Sequence, residues 1–449
     1  MKTTHSIDMC NGVVLPKLLQ FAIPLMCSSI LQLLFNAADI VVVGRFCGDN
    51  SLAAVGSTTA LINLLTNVFI GLSVGANVLV ARYFGAHKNR EVHDVVHTAV
   101  AMSLVSGVVL TIFGVLFTRQ ILIWMHTPEN VLNLAALYLR IYFLGMIFTM
   151  LYNFCSAILR AVGDTRRPLY YLMFSGAVNV VLNLFFVIVC RLNVAGVALA
   201  TILSEGLSAV LIIRCLMKEK ESYQLHLKEI RFSLKYVIKI LQIGLPAGLQ
   251  GTIFSLSNVV IQSSVNSFGS VVMAGNAAAA NIEGFVYVSM NAFHQAAISF
   301  VSQNVGAGKY SRINKITVLT LLCVIVTGCL LGWSALLFGK NLLRIYSSKE
   351  NVIEAGMVRM YFVCGTYALC GMMDVMVGVL RGLGCSVMPM VVSLIGACGL
   401  RLIWIFTFFQ LPQFHRTQML YITYPVSWII TFSVHVICFF MVRKKMFPK

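Results

Sequence analysis

The sequence predicts an all-α integral membrane protein of about twelve transmembrane helices, built as two six-helix lobes related by an axis along the membrane normal. Three observations predict this: a composition too apolar for water, apolar runs of span length from end to end, and a chain-long internal repeat. Of the 449 residues, 59% are hydrophobic and 11% charged, whereas a soluble protein carries roughly 25% charged residues. A helix needs about 20 mostly apolar residues to cross a bilayer, because no water is present there to satisfy exposed backbone groups. Windows of that kind fall near 15–43, 52–80, 95–117, 131–156, 168–190, 193–216, 236–266, 271–300, 314–338, 353–378, 387–409 and 419–442. The first run is too long for a signal-peptide core and no small-residue cleavage site follows it, so it reads as the first span.

The net charge of +18 would suit a nucleic-acid binder, but its distribution excludes that class. Lys and Arg gather in alternate loops, as at Arg82, Lys88 and Arg90, at Arg160, Arg166 and Arg167, at Lys309, Arg312 and Lys315, and in the tail Arg443, Lys444, Lys445 and Lys449. The long hydrophilic stretch between the halves is basic as well. This is the positive-inside asymmetry, and it places both termini in the cytoplasm of a multi-pass protein of the cytoplasmic membrane. The 13 cysteines are scattered singly through the spans with no Cys-x-x-Cys pair, as small hydrophobes would be. His93 and His97 are four apart with Asp94 between them, but a third ligand is missing, so no metal is expected.

The repeat is displaced by 221–222 residues. Phe21-Ala22-Ile23-Pro24 returns as Ile243-Gly244-Leu245-Pro246. Val80-Ala81-Arg82-Tyr83-Phe84-Gly85 returns as Val301-Ser302-Gln303-Asn304-Val305-Gly306, and Leu159-Arg160-Ala161-Val162-Gly163 as Leu380-Arg381-Gly382-Leu383-Gly384. An even number of spans per half puts equivalent segments on the same side, so the halves are parallel repeats of the kind found in secondary transporters. The expected division is a lobe over 1–216, a cytoplasmic linker over 217–235 and a second lobe over 236–449. Pro24 and Pro246, paired by the repeat, are expected to kink the first helix of each half. Gly71 and Gly75, and Gly378 and Gly382, are spaced for helix packing.

Function enters where the halves differ. Asp39 is the only carboxylate in the apolar run from Leu18 to Val43. Acids inside a membrane are costly, and by default they mark an ion or substrate path. Asp39 maps onto Ile261, so its charge is not duplicated; Asn179 and Asn183 map near Arg401 and Ile405, and Thr201 onto Thr423. Asn179 and Asn183 share a helix face, Asn36 lies one turn before Asp39, and Thr201 opens the sixth span at comparable depth. A carboxylate with amide and hydroxyl oxygens suits a hard monovalent cation or a proton. Asp39, Asn36, Asn179, Asn183 and Thr201 are therefore the candidate coupling-cation site. Glu205, Glu283 and Asp374 are candidates for cavity lining or secondary coupling, with Arg140, Arg359 and Arg401 as possible neutralising partners. His294 and His435 read as hydrogen-bonded packing residues.

These residues carry a family resemblance. Asn36-Ala37-Ala38-Asp39-Ile40-Val41-Val42-Val43-Gly44, Leu159-Arg160-Ala161-Val162-Gly163-Asp164-Thr165, Gln303-Asn304-Val305-Gly306-Ala307-Gly308 and Leu380-Arg381-Gly382-Leu383-Gly384 occur in order across nearly the whole chain. In this it resembles the multidrug and toxic compound extrusion (MATE) family, bacterial or archaeal type. The resemblance implies export of cationic or amphipathic organic compounds in exchange for H⁺ or Na⁺ by alternating access, with a first-lobe cation site at Asp39, Asn179, Asn183 and Thr201. It implies a monomer in the lipid bilayer, drug-like substrates, no cofactor and no enzymatic activity; no nucleophile–base or metal motif argues otherwise. An alternative within the same superfamily is a flippase for lipids or lipid-linked oligosaccharides. Two departures stand out. Asn183 occupies a position that is often acidic, and Phe254 and Cys370 stand where relatives with a second-lobe cation site carry acids.

Overall fold

The computed structural model describes residues 6–446 except His126, without the side chains of Asp49 and Ala60; Lys449 of the expected basic tail lies outside the described residues. Every regular element among the described residues is helical. The first half comprises α1 (Val14–Phe46), α2 (Asp49–Gly85), α3 (Asn89–Trp124), α4 (Glu129–Leu144), α5 (Met146–Ala161), α6 (Arg166–Leu184) and α7 (Asn193–Lys218). The second half comprises α8 (Leu234–Asn266), α9 (Ser270–Gly306), α10 (Tyr310–Leu337), α11 (Gly339–Arg344), α12 (Glu350–Val363), α13 (Tyr367–Gly382), α14 (Val387–Ser393), α15 (Leu400–Phe406), α16 (Thr417–Tyr421) and α17 (Thr423–Met446).

Among the described residues, 11 helical stretches are long and apolar enough to cross a membrane, and the bent pair α4–α5 makes the number up to 12. That pair turns by 48° at Gly145, inside what the sequence presents as one uninterrupted run. A side chain at Gly145 would come within 2.7 Å of Ile202 on α7, so the glycine at the turn lets α7 approach closely. Large apolar side chains such as Phe113, Leu116, Trp333 and Leu337 are exposed. On a helix in lipid that is the expected outer surface, since hydrocarbon solvates them as well as a core would.

The chain forms two compact units, one from Cys27–Gly248 and another from Asp8–Met26 together with the chain from Leu249 onward. Both α1 and α8 continue through their prolines without ending, and each passes from one unit to the other just beyond Pro24 or Pro246. The leading turns of α1 are thus part of the second unit, where Phe21 is fully buried and packs edge-on against Phe300 at 5.6 Å. The leading turns of α8 belong to the first unit. There Gly71 and Gly75 of α2 lie against the backbone of Gly244, Gly248 and Ile240, a small-residue contact of the kind their spacing predicts.

Each unit has its own apolar core. Leu139, Phe143, Met146, Met150 and Val197 are prominent in the first. The second centres on Ile261, Cys370, Ala397, Ile405, Tyr421 and Trp428. Ile261 and Ile405, the repeat counterparts of Asp39 and Asn183, are thus members of one apolar cluster, 3% and 2% exposed. The halves share a scaffold and differ in what fills this position.

Candidate functional site

In the first unit, α6 turns Asn179 and Asn183 to its buried side, 4% and 1% exposed. The α-helix ends one residue after Asn183 and continues as a single π-helical segment, Phe185–Val189. Such π segments widen the helix and are frequent at functional sites. Asn183 Nδ2 donates to Asp39 Oδ1 and also to Asn179 Oδ1 at 3.2 Å. Asn179 Nδ2 in turn donates to Ser204 Oγ of α7 at 3.3 Å. The result is a continuous chain of polar groups, Asp39–Asn183–Asn179–Ser204, drawn from α1, α6 and α7.

Two of the predicted members contribute no side chain to it. Asn36 is exposed. The Thr201 hydroxyl donates to the Val197 carbonyl of its own helix at 3.0 Å, while the Thr201 carbonyl accepts from Ser204 at 2.8 Å. Ser204 does not stand out in the sequence, since a serine in an apolar helix usually bonds its own preceding turn. It does so here and accepts from Asn179 as well.

The hydrogen-bond inventory of this chain says what it can hold. Both N–H arms of Asn183 are committed, so its carbonyl oxygen must face elsewhere, and that oxygen is buried with no partner. A buried carbonyl oxygen beside a carboxylate is an arrangement able to accept a cation, or a proton carried by the acid. Glu205, next to Ser204, accepts from Thr149 Oγ1 and lies within electrostatic range of Asp39, of the buried Tyr138 and of the half-buried Tyr142. Carboxylates and phenols thus occupy one neighbourhood in the first unit.

The second unit uses its charges differently. Arg359 forms a two-pronged ion pair with Glu283, Nε and Nη2 donating at 2.8 and 2.7 Å, and its Nη1 donates to Asn276 at 2.7 Å. The Tyr421 hydroxyl donates to the same Asn276 oxygen at 3.1 Å. Glu283 is therefore held in a saturated ion pair. The Asp374 carboxyl meets Tyr287, and its backbone carbonyl accepts from His294 Nδ1 at 2.6 Å. Arg381 donates to Gln250 at 2.8 Å, and Arg401 to Ser427 at 2.9 Å. His435 is buried between Ser393 and the Pro389 carbonyl, as a packing histidine should be. Arg140 is exposed and forms no ion pair among the described residues, so it does not neutralise an interior acid.

At the start of α3 the linker supplies what the sequence lacked. Ligand atoms of His93, His97 and Glu229 lie within 4.8 Å of one another. Those groups are already engaged. His97 Nδ1 bonds the His93 carbonyl at 2.7 Å, its Nε2 accepts from the His226 amide at 3.0 Å, and His93 meets Glu229 at 3.0 Å. With Arg231 reaching Asp94 at 3.0 Å, these contacts pin the linker to α3.

Comparison with known families decides the class. The family model described as MatE matches twice, over residues 24–185 and 246–407, more than half of the chain. The chain belongs to the MatE family. The two matches start at Pro24 and Pro246, the same pair that aligns the internal repeat. As a MatE protein it is a multi-pass membrane transporter and not an enzyme. It is 27% identical over 421 residues to the probable multidrug resistance protein YoeA of Bacillus subtilis, covering 92% of this chain and 90% of that one. It is 28% identical over 400 residues to the probable multidrug resistance protein YpnP of the same organism, covering 88% of each. Among solved structures, an outward-facing multidrug resistance MATE family transporter of the MOP superfamily superposes with a TM-score of 0.91 at 20% identity, covering 99% of both chains. That likeness bears out the all-helical, two-lobed fold.

Proposed function

We propose that this protein is a cation-coupled antiporter of the cytoplasmic membrane that exports cationic or amphipathic organic compounds by alternating access, working as a monomer with both termini in the cytoplasm. The observation that carries this reading is the Asp39–Asn183–Asn179 chain of the first unit, with its buried and unpaired Asn183 carbonyl oxygen, a chain that has no counterpart in the other repeat. An acid so held can exchange a proton or a monovalent cation, and its change of charge is the event that antiport requires. The relatives named for multidrug resistance support a drug-like substrate class over the lipid-flippase alternative. The orientation rests on the basic loops.

The decisive measurement is dye efflux from proteoliposomes under an imposed Na⁺ gradient and then under an imposed pH gradient. Efflux driven by one of them, and lost in Asp39→Asn, is the expected result. Efflux under neither gradient would overturn the coupling.

A further inference from the structure

Superposing the repeat on the polar chain of the first unit leads to a residue the transport reading leaves unused. Arg401 stands at the position of Asn179, and like it donates to a serine of the following span, although Ser427 falls one place further along the repeat than Ser204. Asn179 Nδ2 reaches Ser204 Oγ at 3.3 Å in the first unit; Arg401 Nε reaches Ser427 Oγ at 2.9 Å in the second. The surroundings have changed sign. Where the first unit has Asp39 and Asn183, the second has Ile261 and Ile405 in an apolar cluster. A fixed cation thus replaces the groups that would bind an exchangeable one.

Among the described residues no opposite charge answers this guanidinium. Arg401 is 5% exposed, and no described carboxylate forms an ion pair with it. Glu283 is taken by Arg359 through both oxygens, and the Asp374 carboxyl sits with Tyr287. The guanidinium carbon lies 4.2 Å over the ring of Tyr424 and 5.6 Å from that of Trp428. The rings hold the plane by cation–π attraction and offer it no hydrogen-bond acceptor. One terminal nitrogen, Nη2, is buried with no partner. A charge kept in a membrane interior without a counter-ion is costly and marks a functional group by default. The planar fork of Arg matches a carboxylate in a way the point charge of Lys does not.

We propose that Arg401 is an anion-accepting subsite of the second unit that binds the carboxylate of zwitterionic substrates, with Ser427, Tyr424 and Trp428 orienting its guanidinium. The inference rests on the exporter reading and adds a substrate class to it: compounds carrying a carboxylate as well as a cationic or aromatic body. A purely structural arginine, stacked to fill the core, would show no preference for the anionic group.

A matched pair of dyes tests this. Rhodamine 19 is a free acid and rhodamine 6G is its ethyl ester, so they differ only at the group in question. Their affinities for the purified, folded protein are measured by fluorescence polarisation for wild type, Arg401→Gln and Arg401→Lys, with monodispersity checked for each. In wild type the acid should bind about tenfold or more tightly than the ester, the size of a charge-assisted hydrogen bond. The acid-to-ester ratio should fall to near one in Arg401→Gln and lie between in Arg401→Lys. A ratio near one in wild type, or one unchanged in both variants, overturns the subsite while leaving the exporter reading intact if the ester still binds and is transported. Failure of wild type to bind or transport either dye overturns both.

Discussion

The side-chain amide of Asn183 donates to the carboxylate of Asp39, 144 positions earlier in the chain, and so joins α6 to α1 within the first unit. One group carries charge and the other holds it in a defined orientation. Removing the charge alone should separate transport from folding. Asp39→Asn is expected to abolish dye efflux from intact cells while expression and membrane insertion stay normal. A hydrogen bond to a charged group contributes about 1.5–3 kcal/mol, so binding of the coupling ion should weaken by about tenfold to a hundredfold. Resistance equal to wild type in that variant would remove Asp39 from the coupling step.

Asn183→Leu keeps the volume and removes the donors. Asp39 then loses its amide partner, and the Asn179 oxygen is left without its own. A buried acceptor deprived of its donor costs about 1–3 kcal/mol. The variant should therefore lower both the melting temperature in detergent and the efflux rate, whereas Asp39→Asn lowers efflux alone. Fluorescence-detected thermal unfolding of the two variants side by side is the check, and an unshifted melting temperature in Asn183→Leu would contradict the network.

Glu283 and Arg359 give the opposite expectation. Their ion pair is buried and saturated by Asn276, so Glu283→Gln leaves an uncompensated guanidinium and should destabilise the second unit by about 3–5 kcal/mol. Glu283→Gln combined with Arg359→Met should recover most of that loss, because the isolated charge is gone. Equal melting temperatures for the single and double variants would mean that the pair is not coupled as the geometry implies.

Two glycines of α2 test the packing. Gly71 lies against Gly248, and a side chain there would come within 2.8 Å of the Gly244 carbonyl; one at Gly56 would meet nothing within 4 Å. Gly71→Ala should cost about 1–3 kcal/mol by overpacking, and Gly56→Ala should stabilise by roughly 0.5–1 kcal/mol through reduced chain entropy. Thermal unfolding distinguishes them by sign, and destabilisation of equal size at both positions would contradict the contact.

Much of this architecture was legible in the sequence for simple reasons. Apolar runs of span length have few folds open to them, and a carboxylate or amide pair inside such a run is conspicuous. Asp39, Asn179 and Asn183 stand out on those grounds, and the structure brings them together. Ser204 was hidden because its type and its bond to Thr201 are ordinary for a membrane helix. The partnership of Glu283 with Arg359, 76 positions apart, depends on which faces α9 and α12 present to one another, and several acids and arginines were equally available on paper. The bend at Gly145 was similarly silent: one glycine in an apolar run predicts a close approach only when the neighbour, here Ile202, is known. Nothing in the sequence places Glu229 beside His93, because the linker's return to α3 is a tertiary event.

The passage of α1 and α8 between units means that the boundary of the repeat in sequence is not the boundary of the core in space. Phe21 belongs to the first repeat, yet it is fully buried in the second unit against Phe300. A substitution in the leading turns of α1 is therefore felt by the half of the molecule that lacks Asp39, and one in the leading turns of α8 by the half that holds it.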